Sequence, residues 1–587
     1  MGHRIPNTTS APCLAHKSHP LRARDVQIYQ ACEVLTECLI YPMVIFSPWA
    51  FGTSEPWSIW IMNSAGYCLG ALLAVKLAIR HLKGYRPPRW ADGGAEPPGA
   101  GAARGLLTPA RLTGILALLT AAILGYCLIS ALNARAAYNP ETLAFTYRRQ
   151  YVPWLPHSFD RGATWFAFWS YLGLALSFWA IRDWLLGKSA AEQRPARRAN
   201  GPGGVAQAEF LPARLRRLLW LLTINGGLLG VEGIIQRLHG SGELLFLVRP
   251  NIHKTADTQF GPYAYYANAS QYFNLLWPVC LGFWWMLHRS RGFGRHDHYV
   301  VLLCCGIMAA CPIISTSRGG TLITLGLLGL VGLLLAAAHF VLPASGQAAG
   351  RTRATTLGVL ALFFVGALAL GYSLGWKALK PRMARLSEGF QQRERDYDRA
   401  RPIAADYPVF GTGPGSFENV SKLYRISPEA NWWAQLHNDW LETRITFGWV
   451  GSALIALAFA TVLLRWFGGG GIYSGRRFVM LLWLALGGCL IHARFDFPFQ
   501  MHSIVFLFLI LRAVHEFLVL PPARAAEEAA SRTAPEFAGW GPTFAPAGRA
   551  PRVGEVWRSP GHASTASPCS PWPAAAPAAR AARSTSA

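Results

Sequence analysis

Residues Gly319–Leu342 read GGTLITLGLLGLVGLLLAAAHFVL, a run without one charged side chain. At about 1.5 Å of rise per residue, a helix of that length reaches past a hydrocarbon core of about 30 Å. The chain repeats the pattern. Apolar runs occupy 31–51, 57–79, 112–132, 163–186, 217–236, 268–287, 299–316, 319–342, 354–376, 446–466, 477–493 and 500–520, which makes about twelve candidate spans. Several carry Trp at their ends, among them Trp57, Trp60, Trp165, Trp184 and Trp376, where an amphipathic ring suits the headgroup layer. Across all 587 residues 52% are hydrophobic and only 14% charged, against roughly 25% charged in a soluble domain. The fold class is therefore an all-α polytopic integral membrane protein with about 12 transmembrane helices.

The formal charge is +25. Its Lys and Arg residues sit in short segments between apolar runs, with no recognition motif or basic helix face, so an anionic bilayer surface is the expected partner and no nucleic acid is expected. With the N-terminus inside, 35 of the 55 Lys and Arg residues fall in inner segments, and 11 of the other 20 fall in the single long segment 377–445. That segment exceeds the loop length over which positive charge dictates orientation, so the bias places both termini inside and 377–445 outside.

The expected organisation is an N-terminal tail 1–30, a nine-span region 31–376, the loop 377–445 between the ninth and tenth spans, a three-span region 446–520, and a tail 521–587. No signal peptide is expected, because His3, Pro6, His16 and Pro20 interrupt the first thirty residues. Segments 83–110 and 187–215 and the tail 521–587, rich in Gly, Pro, Ala, Ser and Arg, read as disordered inner links. The 11 cysteines include no CxxC, and none falls in an outer loop, so they are read as packing residues.

The polar chemistry collects on the outer side. Segment 377–445 holds Arg393, Glu394, Arg395, Asp396, Asp398 and Arg399, then Gly411-Thr-Gly-Pro-Gly415, then His437-Asn-Asp-Trp-Leu-Glu442. Arg318 lies at the outer turn between the seventh and eighth spans, and Asp496 at the outer end of the eleventh. The glycine run lacks the Lys-Ser/Thr of a phosphate loop and reads as a turn that lets backbones approach closely. Asp439 or Glu442 is placed to orient the His437 ring, and Arg444 shares its helical face.

Taken together, Ser317-Arg-Gly at an outer turn, Arg393 with Tyr397, Pro408-Val-Phe-Gly-Thr-Gly-Pro-Gly-Ser-Phe417, His437-Asn-Asp-Trp-Leu-Glu442 followed by Phe447-Gly-Trp-Val-Gly451, and His492-Ala-Arg-Phe-Asp-Phe-Pro498 resemble the bacterial O-antigen ligase and O-antigen polymerase superfamily. The motifs run in family order from about 315 to 500. The N-terminal half matches mainly in span number and in Phe51-Gly and Phe260-Gly-Pro-Tyr263. Where many relatives follow Phe-Gly-Pro with Arg-Asn-His or similar, this chain has Tyr265-Tyr-Ala-Asn268.

The resemblance implies a multi-pass protein of the bacterial inner membrane whose large loop is periplasmic. It implies a glycosyltransferase that moves a glycan from undecaprenyl pyrophosphate to an acceptor hydroxyl, the acceptor being another glycan, a lipid A-core sugar or a protein. By motif, the family's essential histidine maps onto His437. The arginine before the Gly-rich stretch maps best onto Arg393, with Arg395 and Arg399 as alternatives, and Arg318 matches the arginine near the outer end of a central span. These are the expected catalytic residues, with Arg395, Arg399, Glu442 and Asp496 expected to bind substrate. A guanidinium suits the charge developing on a departing pyrophosphate, and a neutral imidazole suits removal of a hydroxyl proton. With arginines in that electrostatic role, neither metal nor cofactor is expected. The alternative from another class is a transporter or flippase for a lipid-linked glycan, which would line its spans with the charges found here in outer loops.

Overall fold

The computed structural model describes residues 20–90, 109–189, 192, 211–290, 298–341, 347–425, 434–468 and 476–519. Every expected span is helical. The helices are α1 (Ala23–Trp49), α2 (Pro56–Leu82), α3 (Pro109–Leu132), α4 (Arg161–Leu186), α5 (Ala213–His239), α6 (Tyr266–Ser290), α7 (His298–Ile314), α8 (Arg318–Val341), α9 (Gln347–Ala384), α10 (Leu386–Asp406), α11 (Asp439–Gly468), α12 (Arg476–His492) and α13 (His502–Leu518).

Eight of these, α1 to α5, α8, α9 and α11, are long and apolar enough to cross a membrane, judged by length and composition. The other four candidate spans fall short for two reasons. Helices α7, α12 and α13 have 17 residues each, about 26 Å of rise. Helix α6 is long enough but carries the buried polar residues Asn268, Ser270, Gln271 and Asn274. These four helices build the interior: α6 packs most extensively on α7 and α12, and almost every residue of α13 is buried. Polar groups on α6 are satisfied there, as Asn274 donates to the Gly320 carbonyl at 2.9 Å and accepts from the Thr324 hydroxyl at 2.5 Å.

Charge pairs fix the starts of α1 and α5 to the ends of α2 and α4. The fully buried Lys76 ammonium lies 2.9 Å from both Glu33 and Asp183; Arg80 and Arg89 also meet Asp183, and Arg214 meets Glu33. Buried charges are tolerated because each has partners of opposite sign.

Three features depart from the sequence reading. The fold is not purely helical: β1 (Ala136–Asn139) pairs antiparallel with β2 (Ala144–Tyr147), and the Asn139 side chain closes their turn by accepting the Glu141 N–H at 2.9 Å. The expected loop boundaries at 377 and 445 fall inside helices, since α9 continues to Ala384 and α11 begins at Asp439, so helical geometry persists past the apolar stretch. Of the links read as disordered, the described ends pair with each other, Trp90 N–H donating to the Leu186 carbonyl at 2.9 Å and Lys188 N–H to that of Pro88 at 3.1 Å. Residues 91–108, 190–191, 193–210 and 520–587, and the N-terminal 1–19, lie outside the described residues.

Candidate active site

His437 stands one residue before the cap of α11, with a backbone φ of +57°. A non-glycine residue in the left-handed region is uncommon and marks a position its surroundings must hold. Several contacts hold it. The Tyr397 hydroxyl donates to the His437 carbonyl at 2.7 Å. The Asn438 side-chain oxygen takes the Leu441 N–H at 3.2 Å, an N-cap contact. Asp439 N–H donates to the Ala493 carbonyl at 2.8 Å, and the Asp439 carboxylate accepts the Phe499 N–H at 2.8 Å, so the start of α11 is tied to the segment after α12.

That tie brings Asp496 to the imidazole. His437 Nδ1 lies 3.0 Å from Asp496 Oδ1. On the other carboxylate oxygen, Arg393 Nη2 approaches to 3.6 Å and His492 Nε2 to 3.8 Å. Burial by itself pushes the Asp496 carboxyl up, but the Arg393 guanidinium and the hydrogen bond from His437 outweigh it and hold the group well below the usual carboxylate range. Arg393 is stabilised reciprocally: burial disfavours its charge, Asp496 more than restores it, and the net shift is upward. An ionised carboxylate can only accept, so it selects the imidazole tautomer with the proton on Nδ1. Two rings brace His437 edge-on, Tyr265 at 5.9 Å and Phe497 at 4.8 Å between centroids, and these two stack on each other at 5.5 Å.

The other sequence candidates take different places. Arg318 begins α8, donates to the Arg385 carbonyl at 3.1 Å and packs its guanidinium against Gly389, one turn before Arg393 on α10. Its neighbour Gly319 faces His492, whose Nε2 is 3.0 Å from where a Cβ would sit. Arg395 donates to Gln392 at 2.7 Å and Arg399 lies 3.9 Å from Asp396, both exposed along α10, so Arg393 is the arginine of this helix that reaches Asp496.

One expectation needs correction. Neither Asp439 nor Glu442 orients the His437 ring. Glu442 is buried and accepts the Leu436 N–H at 2.8 Å, and Asp439 is spent on Phe499, both serving backbone donors around a helix start. Asp496 is the orienting carboxylate. It is 4% exposed and turned toward His437. Sequence reading missed Tyr265 and Phe497 as neighbours of His437, and His492 as a neighbour of Asp496. Tyr265 lies in the segment where this chain departs from its relatives' Arg-Asn-His, and His492 precedes Asp496 by one helical turn.

The glycine run seats against the early part of α11. Backbone 408–413 pairs into a break in α11, with Thr412 N–H on the Ile445 carbonyl at 2.9 Å, Gly413 N–H on Thr446 at 3.0 Å and Trp449 N–H on Pro408 at 2.9 Å. A Cβ on Gly411 would sit 2.5 Å from Ile445 O, and Gly448, at φ 60° and ψ −165°, leaves room for the Val409 carbonyl.

The arrangement of His437, Asp496 and Arg393 around one carboxylate gives the motifs a common centre. Residues 303–456 match the O-antigen ligase family. The O-antigen ligase match includes Arg318, Arg393 and His437 and stops before His492 and Asp496, so the ring-orienting carboxylate comes from a helix end outside the matched segment. It supports the O-antigen ligase and polymerase superfamily that the motifs resemble. With the apolar helices it supports a multi-pass membrane protein. No curated protein matches the chain. Among the described residues, no group of three or more His, Cys, Asp or Glu side chains converges as a metal-binding set.

Proposed function

We propose that this protein is a glycosyltransferase of the O-antigen ligase or polymerase type, moving a glycan from undecaprenyl pyrophosphate to an acceptor hydroxyl at the periplasmic face of the bacterial inner membrane. The observation that carries the reading is the His437–Asp496–Arg393 cluster, with an oriented imidazole and a guanidinium on the same carboxylate.

In the proposed reaction Nε2 of His437 takes the acceptor proton as the acceptor oxygen bonds to the anomeric carbon. The bond from that carbon to pyrophosphate breaks and its electron pair leaves with the phosphate. Asp496 stabilises the imidazolium that forms, as a carboxylate does for a general base it has oriented. Arg393, and Arg318 at the start of α8 where it packs against α10, supply positive charge to the leaving pyrophosphate. The acceptor is a glycan, a lipid A-core sugar or a protein hydroxyl, and the cluster belongs to the outer side of a bundle of about twelve spans.

The test separates rate from donor affinity in membranes supplied with a lipid-linked donor. His437→Gln is expected to lose turnover with donor binding nearly intact, whereas Arg393→Ala and Arg318→Ala lose transfer through the pyrophosphate, and Lys at either position restores only part because it lacks the planar fork. Full transfer by an Ala variant would return that arginine to a capping role. Weakened binding at unchanged turnover in His437→Gln would make the histidine a binding residue.

A further inference from the structure

The turn between α12 and α13 carries a second cation that the mechanism above leaves idle. Arg494 lies two residues before Asp496, in a tight turn where Phe495 N–H and Asp496 N–H both donate to the His492 carbonyl, at 2.8 and 2.9 Å. That turn sends Asp496 toward His437 and lays the Arg494 guanidinium on aromatic faces, 5.3 Å from the centroid of Tyr397 and 5.7 Å from that of Phe495. Among the described residues its buried Nη1 has no hydrogen-bond partner and its guanidinium no carboxylate within ion-pair distance. Three other arginines set into the fold meet carboxylates, Arg393 with Asp496, Arg214 with Glu33 and Arg182 with Glu516, while Arg237 is held by two backbone carbonyls.

An aromatic face returns only part of what a guanidinium loses on leaving water, so an unpaired one is a site in want of an anion. The surroundings say how much anion. Arg393 already shares the single carboxylate of Asp496 with His437, and Arg318 is bound only to a backbone carbonyl. Arg393 and Arg494 both stand beside Tyr397, so an anion bound there meets two guanidiniums, one for each phosphate of a diphosphate. Tyr397 links the two arginines to the base, since its ring lies under Arg494, its charge environment includes Arg393, and its hydroxyl holds the His437 carbonyl.

We infer that Arg494 is a further donor-binding residue whose guanidinium, presented on the face of Tyr397, contacts the diphosphate of the lipid-linked donor. The inference rests on the proposed glycan transfer and adds a residue to that site. Arg494 discriminates a diphosphate lipid from a monophosphate one, because only the former has a second phosphate to engage the extra fork.

The experiment uses the full chain in nanodiscs and measures affinity for undecaprenyl pyrophosphate and for undecaprenyl phosphate, together with kcat and donor KM, for wild type, Arg494→Gln and Arg494→Lys. Arg393→Ala serves as a second binding-site variant. Losing a charge-assisted hydrogen bond to a phosphate is worth about tenfold or more in affinity. Arg494→Gln is therefore expected to weaken undecaprenyl pyrophosphate binding by about that factor and monophosphate binding less, with donor KM rising and kcat within about threefold. Arg494→Lys keeps the charge and the stacking and is expected to fall between. Unchanged diphosphate affinity in both variants overturns the inference, as does a fall in kcat at constant affinity, which would make Arg494 a support for Tyr397 and His437. An equal loss for both lipids also overturns it, because the second phosphate would then play no part. If wild type and Arg393→Ala both fail to bind undecaprenyl pyrophosphate, the donor reading itself falls, an outcome distinct from loss of the Arg494 contribution alone.

Discussion

His437 shows how far single residues speak. Its motif and its position before an apolar helix marked it in the sequence, and so did Arg393 with Tyr397. Its partner was hidden. Asp496 is 59 positions away, and the ties from Asp439 to Ala493 and Phe499 bring the two together, whereas sequence proximity points to Asp439 and Glu442. His437→Ala is expected to cost about 10²–10⁴-fold in turnover, the range for a lost general base. Asp496→Asn is expected to lower turnover while leaving donor affinity near wild type, since it disturbs the tautomer and strips Arg393 of its partner without removing a phosphate ligand; initial rates over donor concentration check this. The depressed Asp496 pKa carries a stability signature as well. A carboxyl whose folded pKa lies below its unfolded value of about 3.9 contributes stability that is present above that value and lost as pH falls through the folded pKa. Arg393→Gln removes the largest of the effects holding it down and leaves burial to raise it, so the variant lacks this stability at neutral pH and has less of it to lose on acidification than wild type. Melting in detergent from pH 7 to pH 3 should show the variant well below wild type at pH 7 and the gap narrowing toward pH 3, and parallel curves would contradict the coupling.

At the scale of elements, apolar runs located the helices of the bundle, because a span must bury its backbone hydrogen bonds internally and so announces itself as an uninterrupted run, whereas the polar α10 lay unmarked in the segment read as a loop. What the runs did not reveal is which helices form the interior. Helix α6 pairs its Asn and Gln residues with α8 and α12, an arrangement that depends on neighbours far along the chain. The break in α11 was legible only as glycines. Gly448 occupies a backbone region that is essentially closed to other residues, and the Val409 carbonyl fills the space of its missing side chain. Gly448→Ala is expected to destabilise by at least about 1–3 kcal/mol, the cost of holding such a conformation. Gly329→Ala, on α8 with nothing within 4 Å of its added Cβ, is expected to be neutral or slightly stabilising. Melting temperatures of the two purified variants check the contrast; equal effects would mean that the break in α11 does not need glycine.

For the whole molecule, charge asymmetry sets a direction that the fold alone does not. With 35 Lys and Arg residues in segments assigned inside, and the cluster of His437, Arg393 and Asp496 at the other end of the bundle, the site is expected outside and both termini inside. Alkaline phosphatase fused near residue 400 should be active and fused near residue 535 inactive, and the reverse pattern would overturn the orientation. The central claim is that a glycosidic bond is remade at this site, in contrast to a lipid-linked glycan being carried across intact. Proteoliposomes holding the purified protein, a lipid-linked glycan labelled in both sugar and lipid, and a hydroxyl acceptor test it directly. The account predicts that wild type transfers sugar label to the acceptor and releases one undecaprenyl pyrophosphate per glycan moved, and that His437→Ala does neither. Movement of both labels together across the bilayer, with the sugar still on its lipid and no acceptor product, would contradict it.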